Sequence, residues 1–64
     1  MDDLMKIIQL RDEIEEVEYT ISRLILAEQM AVDEENYEKA NVMLKEQIRL
    51  RSRKKYLNTK INKL

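Results

Sequence analysis

At 64 residues, with a formal net charge of -1 and no cysteine, histidine, glycine or proline, the chain has room for one small structural unit and no covalent cross-link to hold it. A tetrahedral zinc site lacks its thiolate and imidazole ligands, so association remains the route by which such a unit gains buried apolar surface. The sequence is rich in Leu, Ile, Glu, Lys, Arg, Gln and Met, which helices accommodate well, and the expected class is all-α.

The first predicted helix covers about residues 3–32, with Asp2 or Asp3 as its capping residue. Ile7, Leu10, Ile14, Val17, Ile21 and Leu24 recur at alternating spacings of three and four, the a and d positions of a heptad seam. The seam weakens at its end, where Glu28 takes an a position and Ala31 a d position. Leu4, Ile8, Ile25, Leu26 and Met30 fall outside it, which is more apolar surface than one partner helix covers.

Residues 33–36 (DEEN) hold no apolar side chain and are read as a turn. Asn36 is the expected N-cap of a second helix over about residues 37–62. A single continuous helix is the competing architecture. Extending the first register puts an a position at residue 35, whereas the second seam needs one at residue 40, an offset that neither a stutter nor a stammer absorbs.

The second seam reads Ala40, Met43, Gln47, Leu50, Lys54, Leu57, Ile61 and Leu64, with polar residues at two a positions. Leu44 and Ile48 broaden its apolar face near the turn. Charge divides along the same line. Through residue 38 there are twelve acids against three bases, a net of -9, and beyond it nine bases against Glu46 alone, a net of +8.

Folded near Glu34, the chain sets residues 12–18 beside residues 50–56, so acidic and basic blocks meet. Each exposed pair contributes only about 0–1 kcal/mol, so charge selects orientation more than it supplies stability. The expected architecture is an antiparallel, coiled-coil-like two-helix hairpin. An antiparallel rod dimer satisfies the charges equally well. Two hairpins pairing into a four-helix bundle bury Ile8, Ile25, Leu26, Leu44 and Ile48, which makes these residues, with Tyr37 at the tip, the candidates for self-association or partner binding.

Nucleophilic catalysis, histidine general-base chemistry and phosphate-cradling loops all lack their raw material, and an inward Glu-x-x-His metal pair does not occur. We therefore expect no catalytic residues, no cofactor, no metal and no small-molecule substrate. Glu28 reads as a buried acid, as a side chain pointing to solvent near the helix end, or as one pairing there with a nearby lysine such as Lys39 or Lys45. Tyr37 reads either as a binding hot spot or as a side chain packed under the turn against Met30 or Val32.

Residues 49–56 (RLRSRKKY) could meet a phosphate backbone while Tyr56 stacks on a base. The competing reading makes them partners of the acidic helix, with Arg49, Arg53 and Lys60 pointing away and left for nucleic acid. The longest apolar run, LILA at residues 24–27, is far below the roughly 20 residues that span a bilayer, and no signal-peptide pattern opens the chain. We expect a soluble, cytoplasmic protein.

Residues 31–40 (AVDEENYEKA) resemble the middle of the UVR motif, the helical hairpin of UvrB- and UvrC-type excision-repair subunits and of some adaptors. That motif has acids at the turn, then Phe or Tyr, Glu, any residue and Ala. Met43 falls on its leucine and Leu50 on a later apolar position. Leu44 and Lys45 stand in place of its Arg-Asp pair, Asn41 replaces a second alanine, and Gln47 sits where an apolar residue belongs. The likeness spans about residues 31–50 and implies a hairpin used for protein–protein contact. The leading functional expectation is thus a non-catalytic adaptor, inhibitor or assembly factor that binds itself or another protein. A small RNA- or DNA-binding dimer is the alternative.

Overall fold

Alternating three- and four-residue spacing keeps one stripe of each helix apolar, and two such stripes bury each other when the chain doubles back. A computed structural model, which describes residues 2–64, shows this arrangement. Helix α1 runs Asp2–Asp33 and helix α2 runs Tyr37–Asn62, packed along their length, with no strand among the described residues. The molecule measures 51 × 14 × 10 Å. The cap expected of Asp2 or Asp3 lies at the edge of the described residues: Asp2 is already helical and its side chain is outside them.

The turn is built from backbone hydrogen bonds rather than from a special residue type. The Asn36 N–H donates to the Ala31 carbonyl at 2.8 Å and the Glu35 N–H to the Val32 carbonyl at 2.9 Å, the paired bonds of a Schellman C-cap. Glu35 fills the left-handed position of that motif at φ 59°, where glycine is usual. Asn36 then opens α2. Its side-chain carbonyl accepts from the Lys39 N–H at 3.3 Å, which satisfies one of the orphan donors of the first turn.

Ile14, Val17, Ile21 and Leu57 are buried, with Leu10, Ile25, Leu50 and Ile61 packed against them. Both predicted seams therefore face inward. Leu64 is the exception, 47% exposed beyond the end of α2. Toward the turn the core changes character, because its buried residues there are the small Ala31 and Ala40 and the polar Gln47. Large apolar side chains next to this thin stretch remain at the surface, and they define the candidate site.

Candidate functional site

Gln47 is only 2% exposed, so its amide needs a partner inside the seam. Its Nε2 donates to Glu28 Oε1 at 2.7 Å, and among the described residues no buried side-chain polar atom lacks a hydrogen bond. The two polar a positions, one from each helix, thus satisfy each other. Glu28 pairs with neither Lys39 nor Lys45 among the described residues, which corrects the lysine pairing: it accepts from the amide across the seam, which needs no long side chain brought back from solvent.

Lys54, the other polar a position, is half-buried along its stem and carries its ammonium to Glu18 Oε1 at 3.2 Å. Arg53 Nη2 donates to Glu13 Oε1 at 2.7 Å. Counted from the seams, Glu13 and Arg53 are both g positions, on one flank of the hairpin. In an antiparallel pair the e positions of both helices gather on the opposite flank.

That opposite flank carries the candidate surface. Ile25 and Val32 of α1 and Tyr37 and Leu44 of α2 all occupy e positions in the half nearest the turn. The register set by the turn brings Ile25 level with Leu44 and Val32 level with Tyr37. Ile48, at the neighbouring b position, extends the strip. Tyr37 is 65% exposed, Ile48 56% and Val32 45%. Ile25, outside the a/d seam as expected, is half-buried and packed against the core, because an e position lies close enough to the seam for α2 to cover part of it. Tyr37 does not pack under the turn. The left-handed step at Glu35 starts α2 with this side chain directed to solvent.

Four of the six candidates, Ile25, Tyr37, Leu44 and Ile48, lie along this flank, while Leu26, 59% exposed, takes an f position on the outer edge of α1. Ile8 stands apart, about 25 Å away toward the open end by the helical rise. Val32 belongs to the surface although the sequence reading gave it no such role. Its signal was the heptad step from Ile25. A shallow depression of about 300 Å³ lined by Ile25, Glu28, Gln29, Val32 and Asp33 lies beside the strip.

The basic candidates are less available. Arg49 donates to Glu46 through Nε at 2.8 Å and Nη2 at 2.9 Å, hydrogen bonds that hold the Glu46 carboxyl below its ordinary range and raise Arg49. This pair supports the fold fully above the ordinary carboxylate range and is lost as the pH falls through the depressed Glu46 pKa. Arg53, which could either meet the acidic block or point away from it, reaches Glu13, because a g position borders the partner helix. Its guanidinium and the Lys60 ammonium also lie 5.5 and 5.3 Å from the Tyr56 ring centroid.

Among the described residues no group of three or more carboxylates converges where a cation could sit. No described helix is long and apolar enough to cross a membrane. Comparison with family models, characterised proteins and solved structures yields no match.

Proposed function

We propose that this chain is a non-catalytic protein–protein interaction module, an adaptor, inhibitor or assembly factor whose binding surface is the apolar flank beside the turn. The observation that carries the reading is the exposure of Val32, Tyr37, Leu44 and Ile48 together on one side of a hairpin whose core is too thin there to take them in. Apolar side chains gathered beside a charged stretch are the pattern of an association site, and near the turn this flank holds more of them than the opposite one, which carries Met30 and Val42. Pairing of two hairpins into a four-helix bundle is one way to cover the strip. The UVR resemblance supports the same class of function.

Ile48→Asp and Leu44→Asp test it, since both sites are exposed and their substitution leaves the seam intact. Light scattering at micromolar concentration and affinity capture from the native host should show association in the wild type and its loss in both variants, at unchanged helical circular dichroism. Variants that associate as the wild type does would remove the reading.

A nucleic-acid interface on α2 is the second reading. Arg51 and Lys55 support it, being exposed and outside the ion pairs of the described residues, whereas Arg49 and Arg53 already have acid partners. Titration with mixed oligonucleotides should then show binding that weakens steeply with salt, and no binding at low salt would dismiss it.

A further inference from the structure

We infer that the occupant of the turn-proximal flank is a second copy of this chain, docked with both turns at the same end so that α1 of each protomer lies on α2 of its partner. This rests on the interaction-module reading above and specifies its partner. Two identical flanks laid face to face can be related by a two-fold axis that runs across the helices or along them. The two choices differ in every contact they make.

An axis across the helices puts the turns at opposite ends. The turn-proximal half of each flank then meets the open-end half of the other, where Leu4 and Ile8 stand among Arg11, Glu15, Glu18, Arg51 and Lys55, and α1 lies on α1. Acid opposes acid there, since α1 presents Glu15 and Glu18 on this side, while α2 sets Arg51 and Lys55 against their own copies. Such an interface gives Val32 the partner's Leu4 but takes Ile25 and Tyr37 away from the partner's Leu44 and the partner's Val32.

An axis along the helices reverses each of these outcomes. The turn-proximal halves coincide, so Ile25 and Val32 of one protomer face the partner's Leu44 and the partner's Tyr37. Farther along, the same register brings Glu18 level with the partner's Arg51 and Glu15 level with the partner's Lys55. Within the hairpin Glu18 already holds Lys54, while Glu15, Arg51 and Lys55 take part in none of the ion pairs among the described residues. The flank is thus complementary to itself in both apolar position and charge sign, the condition that a two-fold partner imposes and a foreign surface does not.

The surface area agrees with one missing partner. The hairpin exposes 5281 Å², against about 4,400 Å² for a compact monomer of its 7.8 kDa mass. The excess, about 900 Å², is close to the roughly 800 Å² that one partner contributes to a standard interface.

The full chain has no cysteine, so single cysteines report orientation cleanly. Glu34→Cys marks the exposed turn and Asn62→Cys the open end. In an equimolar mixture carrying a mass tag on one variant, a short bis-maleimide should join turn to turn and end to end. A turn-to-end product would overturn the orientation while leaving the interaction-module reading intact.

Charge reversal gives the second measurement. Glu15→Lys and Lys55→Glu should each weaken self-association about tenfold, since each places two like-charge pairs in the symmetric dimer, and mixing the two variants should restore it. Failure of the mixture to recover would overturn the proposed pairing. A wild type that stays monomeric at high micromolar concentration overturns the second copy as occupant. Wild-type behaviour of Ile48→Asp overturns the function reading itself.

Discussion

At Glu35 the backbone enters the left-handed region, φ 59°, carrying a side chain that crowds the following carbonyl at a cost of about 1–2 kcal/mol. Glycine escapes that crowding but loses about 0.5–1 kcal/mol in chain entropy on folding. Glu35→Gly should therefore stabilise the hairpin by about 0.5–1 kcal/mol and raise the melting temperature by a few degrees at fixed protein concentration. A lower melting temperature would mean that the Glu35 side chain makes a compensating contact. The Glu28 and Gln47 pair behaves differently, because both members stand in the seam. Glu28→Ala should cost about 1–3 kcal/mol by leaving the Gln47 amide buried and unpartnered. Glu28→Leu combined with Gln47→Leu should be close to neutral or stabilising in thermal melts, at the expense of the polar contact that distinguishes this register from its neighbours. A double variant as damaged as the single one would refute that division.

Each helix is specified by a stripe, and the two flanks of the stripe tolerate very different substitutions. Ile14 is 8% exposed, so Ile14→Asp should cost several kcal/mol by placing a charge among apolar side chains. Glu13 sits one step away in an exposed pair with Arg53, and Glu13→Ala should cost about 0–1 kcal/mol. Equal tolerance of both changes in denaturant melts would contradict the inward orientation of the α1 seam. This stripe was legible beforehand because heptad spacing fixes angles around a helix, and the break was legible because residues 33–36 shift the register. The observed bounds, Asp2–Asp33 and Tyr37–Asn62, lie within a residue of those expected. Spacing does not say how far a neighbouring helix covers a flanking side chain. Ile25 is for that reason half-buried rather than free, and Arg53 is drawn to Glu13. The direction of Tyr37 was equally hidden, since it follows from a left-handed step taken without the glycine that would have announced it.

Two helices form a single layer, and a single layer leaves two broad sides open to water. The Cα radius of gyration is 14.9 Å, against about 11 Å for a compact domain of this length, and the difference is the length of the hairpin. Length and charge division act together at this scale. Acidic α1 beside basic α2 cancels most of the field along the molecule while leaving each side with an acidic edge and a basic edge. A second layer laid on with the turns together repeats that neutralisation across the interface, and it adds thickness without length. Small-angle scattering distinguishes this assembly from an extended one. With layers packed at the usual 8–10 Å between helix axes, dimerisation should double the forward scattering while the radius of gyration rises by only about 1 Å. An end-to-end assembly of two hairpins 51 Å long would instead nearly double the radius, because the mass would then be added along the axis that already dominates it.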